Sequence, residues 1–131
     1  MTYLVDSDYV VDWLTGRPEV VVLLAALPRK GLAISLITYG EIYEGIYRGR
    51  DPQSSERRFR EFLRFVNVLP LSRMIMRRFA RLRGDLRRTG ELIGDADTLI
   101  AATALHHQLT LVTRNQRHFA RIPALELYRA P

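Results

Sequence analysis

The 131-residue sequence contains no cysteine, which excludes disulfide bonds and thiolate metal sites. A chain without cysteine fits a reducing compartment such as the cytoplasm. No apolar run approaches the ~20 residues that a bilayer-spanning helix needs. The start, MTYLVDSD, shows no basic leader followed by a long apolar stretch, so no signal peptide is evident. These absences predict a cytoplasmic protein without membrane association.

Three sequence signatures of common enzyme classes are also missing. The chain has no phosphate-binding P-loop, no dinucleotide-binding G-x-G-x-x-G turn and no G-x-S-x-G nucleophile turn.

Lysine is nearly absent as well. Lys30 is the sole lysine, and arginine supplies the remaining positive charge. Arginine suits bidentate contact with phosphate groups.

The bulk composition indicates one globular domain, spanning residues 1–131. Apolar residues make up 47% of the chain, which supports a packed core rather than disorder. The net charge is +6 and the isoelectric point is near 10.3. An excess of positive charge favours an anionic partner, and nucleic acid is the first candidate.

The order of predicted elements is typical of an α/β protein. Helical patterns separate five strand-like runs, at residues 2–5, 32–35, 66–69, 110–113 and 125–128. Such alternation predicts a small, mainly parallel sheet flanked by helices. One helix, over about 72–89, is strongly amphipathic, with an apolar face opposite exposed arginines. Those arginines form either a solvated surface or a phosphate-binding stripe.

Three carboxylates stand where an apolar segment gives way to a polar turn. Asp6 follows the run TYLV, Glu41 lies just beyond LAIS, and Asp97 opens the apolar helix DTLIAATAL. In parallel sheets the carboxyl ends of the strands share one edge, where ligands bind. Carboxylates that converge there repel one another unless a hard cation such as Mg²⁺ or Mn²⁺ lies between them. The sequence therefore predicts a metal-dependent enzyme.

Each acid also has an ordinary structural explanation. Asp6 can cap the turn that follows it. Thr38 and Glu41 match the T-x-x-E capping box, in which the glutamate bonds the cap amide. Asp97, or Asp95 before it, can serve as the N-cap of its helix. The metal-site prediction rests on the three acids together.

The turn TRNQRHF, after the strand TLVT, would reach the same edge of the sheet. Asn115 in this turn can coordinate a hard cation through its carbonyl oxygen. Arg114 and Arg117 flank the predicted site and are candidates for phosphate contacts. His118 is interpreted as a surface turn residue rather than a ligand.

These segments together resemble a known family. LVDSD, AISLITYGEIYEGIYRG, GDADTLIAATALHHQLTLVTRNQRHF and a short final strand are similar to a PIN domain, and more specifically to the VapC toxins of type II toxin–antitoxin systems. The resemblance covers essentially the whole chain. It implies a three-layer α/β fold and an endoribonuclease that depends on Mg²⁺ or Mn²⁺. It also implies a homodimer that is neutralised by a VapB-type antitoxin.

The resemblance assigns the catalytic positions to Asp6, Glu41 and Asp97, with Asn115 at the fourth, more variable position. Asp6 and Asp97 are the expected metal ligands, and Glu41 would bind metal through water or orient the attacking water. Many relatives continue this turn as R-D-F, whereas this chain reads RHF with His118 in place of the acid. Losing that carboxylate should weaken a second bound cation. It keeps open an alternative function, a degenerate PIN module that binds RNA or a protein without cleaving.

Overall fold

The computed structural model describes residues 2–27 and 31–129. Its elements, in chain order, are β1 (Tyr3–Val5), α1 (Ser7–Leu14), α2 (Pro18–Ala26), β2 (Leu32–Ser35), α3 (Leu36–Arg48), α4 (Pro52–Leu63), β3 (Asn67–Leu69), α5 (Arg73–Arg88), α6 (Asp95–His107), β4 (Thr110–Val112) and α7 (Gln116–Phe119). Helices and strands alternate as the sequence predicts. No helix in these two described ranges combines the length and apolar character that crossing a bilayer requires.

The four strands form one sheet in the order β3-β2-β1-β4. All three neighbouring pairs are parallel, so the predicted parallel α/β fold is confirmed. The strand expected at 125–128 is reduced to a single parallel bridge between Leu111 and Leu127. Among the described residues, Leu111 alone exchanges backbone hydrogen bonds with that segment, and one residue cannot support a ladder.

Two apolar cores lie on opposite faces of the sheet, because successive strand residues point to opposite sides. Leu4 belongs to the core that α5, α6 and α7 cover. Its neighbour Val5 belongs to the core that α1 to α4 cover. Helices therefore cover both faces, and the architecture has three layers, as expected.

Several helix starts differ from the prediction. The segment SDYVVDWL predicts Ser7 or Asp8 as the cap of the first helix, but the N-cap of α1 is Asp6, whose carboxylate accepts the Ser7 N–H. Asp6 therefore caps the turn that follows it, as its structural explanation predicts. The segment SSERRFREFLRF predicts a serine cap for the fourth helix, but Asp51 caps α4 by accepting the Ser54 N–H, so that prediction is wrong. In both cases the acid directly precedes the helix, and its carboxylate accepts a backbone N–H of the first turn.

The amphipathic helix α5 is confirmed. Ile75 and Leu86 are buried, and Leu82 packs against the same core. Arg83 and Arg88 pair with Asp95 and Asp85, respectively. The other arginines of this helix point away from the core and are exposed.

Candidate active site

The candidate site lies at the carboxyl ends of β1, β2 and β4, which are the central and edge strands of the sheet. Asp6 directly follows β1, and Glu41 lies in the second turn of α3, which continues from β2. Asp97 is in the first turn of α6, and Asn115 is the residue before α7. The parallel sheet thus carries all four predicted residues to one edge, as its topology requires.

Asp6 is the most buried of these acids, with 6% of its surface exposed. Its Oδ1 accepts the Ser7 N–H at 2.7 Å, and its Oδ2 accepts the Thr113 hydroxyl at 2.7 Å. Burial raises the pKa of Asp6 to about 6, although the two hydrogen bonds oppose that rise. The negative charges of Asp8 and Asp97 raise it further. The surroundings of the Asp6 carboxylate therefore favour a bound proton or cation.

Glu41 is held by a hydroxyl from another helix. Ser7 Oγ donates to Glu41 Oε1 at 2.6 Å and lies 3.0 Å from Thr38 Oγ1. The N-cap of α3 is Ser35, which accepts the Thr38 N–H at 3.0 Å. The capping-box interpretation of Thr38 and Glu41 is therefore wrong, because β2 passes directly into α3 and the helix begins three residues earlier.

Asp97 does not cap its helix. The N-cap of α6 is Gly94, which makes no side-chain cap, so the N-cap interpretation is wrong for both Asp95 and Asp97. Asp97 Oδ2 accepts a hydrogen bond from Asn115 Nδ2 at 3.3 Å. Asp95 instead pairs with Arg83 at 2.7 Å, on the outside of the helix. Because Asp97 makes no capping bond to its own helix, its carboxylate faces the site and Asn115.

Asn115 and His118 complete the surroundings of Asp97. The Asn115 N–H donates to Thr113 Oγ1 at 3.0 Å, and its Nδ2 lies 2.9 Å from His118 Nδ1. The amide nitrogen of Asn115, rather than its carbonyl oxygen, faces Asp97 in this arrangement. His118 Nδ1 is 3.7 Å from Asp97 Oδ2, and 44% of the histidine side chain is exposed. The imidazole thus borders the site as well as the surface.

One continuous set of hydrogen bonds joins the four predicted residues. It runs from Glu41 through Ser7 to Asp6. From Asp6 it continues through Thr113 and Asn115 to Asp97. Sequence reasoning missed the two hydroxyl residues that link the acids. The sequence pattern predicts Ser7 only as a helix cap and Thr113 only as the end of a strand. The sequence feature that could have pointed to them is a small hydroxyl residue beside an acid, as at Ser7, or at the end of a strand, as at Thr113.

The two flanking arginines differ. Arg114 forms an ion pair with Asp12, and its guanidinium lies 4.9 Å from the ring centre of Tyr9. Its backbone N–H donates to Asp8 Oδ2 at 3.0 Å, a carboxylate whose pKa burial raises. These contacts tie the loop after β4 to α1. Arg117 is exposed and forms no ion pair with any residue that the structure describes.

The chemistry of the site suits a hard divalent cation. Its acids offer only oxygen donors, and the raised pKa of Asp6 reflects buried negative charge. Among residues 2–27 and 31–129, no three His, Asp or Glu side chains are already close enough together to hold an ion. Mg²⁺ keeps several waters and typically binds proteins through only one or two carboxylates. Asp6 and Asp97 therefore fit such an ion without a preformed cage.

Comparison with known families identifies the class of this protein. The family model of the PIN domain matches residues 3–125. The chain therefore belongs to the PIN domain family.

Relatives that this chain resembles over nearly its whole length belong to one group within this family. Ribonuclease VapC19 of Mycobacterium tuberculosis is 34% identical over 125 residues, covering 94% of this chain and 96% of that protein. Ribonuclease VapC2 of Rickettsia felis is 30% identical over 129 residues, covering 97% and 96%. The crystal structure of VapBC2 from Rickettsia felis, bound to a DNA fragment from its promoter, has a TM-score of 0.90 at 28% identity and covers 100% of both chains. The expected resemblance to VapC proteins is confirmed.

Proposed function

We propose that this protein is a metal-dependent endoribonuclease that acts as the toxin of a type II toxin–antitoxin pair and hydrolyses RNA phosphodiester bonds. The observation that carries the proposal is the set of acids at the sheet edge, joined by Ser7 and Thr113. The VapC relatives, which are named ribonucleases, support the same activity.

Asp6 and Asp97 would hold Mg²⁺ or Mn²⁺ in this site. When bound, such an ion lowers the pKa of a water and stabilises negative charge on the scissile phosphate. The burial of Asp6 excludes bulk water from its carboxylate, which strengthens its interaction with any cation. The hydroxyl of Thr113 and the amide of Ser7 fix both oxygens of that carboxylate.

Glu41 and Asn115 would act on either side of Asp6. The hydroxyl of Ser7 fixes one oxygen of Glu41, which leaves the other oxygen to orient a water for attack. Asn115 would hold Asp97 through its amide nitrogen, so that it positions a carboxylate. Arg114 and Arg117 flank this turn. Arg114 pairs with Asp12, whereas the exposed Arg117 has no acidic partner among the described residues and is the better placed to bind an RNA phosphate.

The partners follow from the relatives. The matched Rickettsia felis structure is a VapBC assembly, and the structure of VapBC-1 from Haemophilus influenzae covers 98% of this chain with a TM-score of 0.87. On this basis the protein would bind a VapB-type antitoxin. The resemblance to VapC toxins further implies a homodimer, and the protein would act in the cytoplasm, where its RNA substrate is found.

One observation favours a second function, a degenerate PIN module that binds RNA without cleaving it. An amide and an imidazole, rather than a further carboxylate, face Asp97. The two functions differ in metal binding, because an ion that binds the folded state raises the melting temperature by mass action. An active site predicts a rise with Mn²⁺ that Asp6→Asn removes, whereas a degenerate module predicts no rise.

The experiment that tests the proposed function is cleavage of a structured RNA pool by purified, antitoxin-free protein. Fragments should form with Mn²⁺ and should be absent with EDTA. RNA that is bound but remains intact with Mn²⁺ would favour the degenerate module instead.

A further inference from the structure

A groove of about 310 Å³ begins at Glu41 and runs between α1, α3 and α4. Val11 and Leu14 of α1 form one wall, and Ile42 and Ile46 of α3 form the floor. At the end away from Glu41 the lining changes to the basic and polar side chains Arg48, Ser55 and Arg58. The groove thus joins the candidate active site to a positively charged surface.

The helical spacing of α3 produces this arrangement. Glu41, Gly45 and Arg48 are four and three residues apart and therefore lie on one face of the helix. Seven residues at the usual rise separate Glu41 from Arg48 by about 10 Å. Gly45 lies between them, and a Cβ added there would meet no heavy atom within 4 Å. The missing side chain at Gly45 keeps the middle of the groove open.

The two arginines at the far end are available to bind an anion. Arg48 and Arg58 are both exposed, and neither pairs with an acid in the part of the chain that the structure describes. Other arginines of the same region are paired, since Arg60 binds Glu56 and Arg64 binds Glu61. Unpaired guanidinium groups suit phosphate oxygens, which they bind through two parallel hydrogen bonds.

We propose that this groove binds the single RNA strand next to the scissile phosphate, with Arg48 and Arg58 holding a neighbouring phosphate and Gly45 leaving room for the strand. The inference rests on the proposed function, because a polymer cut beside Glu41 must continue along the adjoining surface. The apolar floor contacts sugars and base faces, and the arginines contact the backbone. This division gives affinity with little base discrimination, as is usual for single-strand sites.

The test measures RNA binding separately from cleavage. All variants carry Asp97→Asn, which prevents turnover, and a fluorescein-labelled single-stranded RNA of about 12 nucleotides, within the range of single-strand site sizes, reports binding by anisotropy. Gly45→Leu should weaken binding at least tenfold while raising the melting temperature, because leucine favours a helix and glycine does not. Gly45→Ala is the matched control, which gains helix propensity but fills little of the groove and should bind nearly as the parent does.

The arginines are tested by salt dependence. Arg48→Gln and Arg58→Gln should each lower the slope of log affinity against log salt by about 0.7, the value for one phosphate contact on a single strand. Arg57→Gln removes the same charge from α4, the helix that carries Arg58, at a position that does not line the groove, and it should leave the slope closer to that of the parent.

The outcomes separate this inference from the proposed function. Gly45→Leu with unchanged RNA affinity, or equal slopes for Arg48→Gln and Arg57→Gln, would overturn the groove assignment even if the native protein cleaves RNA. A native protein that fails to cleave would overturn the nuclease, while the binding data would still decide the groove. In a cleaving protein with Asp97 intact, Gly45→Leu should raise KM and leave kcat largely unchanged.

Discussion

The hydroxyl of Thr113 donates to Asp6 Oδ2 at 2.7 Å, across 107 positions of sequence. Parallel pairing of β1 with β4 brings the two strand ends together, and this bond then fixes the buried carboxylate. The same hydroxyl oxygen accepts the Asn115 N–H. Thr113 therefore couples the first acid of the site to the loop that carries the fourth position.

Thr113→Val should raise the pKa of Asp6 above its value of about 6, because a donor that stabilises the ionised form is lost. The change should also lower the free energy of unfolding by about 1 kcal/mol. Thr113→Ser keeps the hydroxyl and should leave the pKa unchanged. Titration of the Asp6 carboxyl carbon by NMR in metal-free protein measures the effect, and equal pKa values in both variants would contradict it.

The raised pKa of Asp6 predicts a pH dependence of stability without metal. The contribution of this carboxyl to the unfolding free energy is fully present below about 3.8 and is lost as pH rises through about 6. The wild type should therefore lose up to about 3 kcal/mol relative to Asp6→Asn as pH rises through that interval. Urea unfolding of both proteins in EDTA checks this prediction, and parallel pH curves would refute it. Adding Mn²⁺ at pH 7 should restore the unfolding free energy that the wild type loses.

Glu41→Gln and Ser35→Ala should separate catalysis from capping. Ser35 caps α3, so Ser35→Ala should cost about 1 kcal/mol of stability. Glu41→Gln keeps an oxygen that accepts the Ser7 hydroxyl and removes only the charge, so it should reduce cleavage strongly with little change in melting temperature. A Glu41→Gln protein that is destabilised but still cleaves RNA at the wild-type rate would contradict this assignment.

The two arginines of the loop after β4 should respond differently to substitution. Arg114→Gln breaks the contacts with Asp12 and Tyr9 and should cost about 1–2 kcal/mol of stability. Arg117→Gln removes an exposed charge, so it should leave the melting temperature unchanged and reduce the salt slope of RNA binding by about 0.7. The opposite pattern, with Arg114→Gln neutral for stability, would exclude its role in holding the loop.

The sequence was sufficient to predict the parallel sheet and the meeting of acids at its edge. Both follow from strand alternation and from the position of Asp6, Glu41 and Asp97 relative to apolar runs. The helix starts were less predictable, because Asp, Ser and Thr all cap helices and several of them stand near each boundary. Only the packed backbone decides that Asp6 and Ser35 are the caps.

The links between the acids were beyond sequence reasoning. Ser7 reaches Glu41 across 34 positions, and Thr113 reaches Asp6 across 107. Such bonds depend on helix orientation and strand register rather than on local pattern. The sequence could not predict that Arg114 ties the loop after β4 to α1 for the same reason, since its partner Asp12 lies on another element.

The most direct test of the central claim compares RNA cleavage by Asp97→Asn and Asp95→Asn in Mn²⁺. Both changes remove one negative charge from the first turn of α6, but only Asp97 faces Asn115, whereas Asp95 pairs with Arg83 on the outside. Asp97→Asn should abolish cleavage while keeping the fold, and Asp95→Asn should cleave nearly as the wild type does. Full activity in Asp97→Asn would contradict the assignment of the active site to this edge of the sheet.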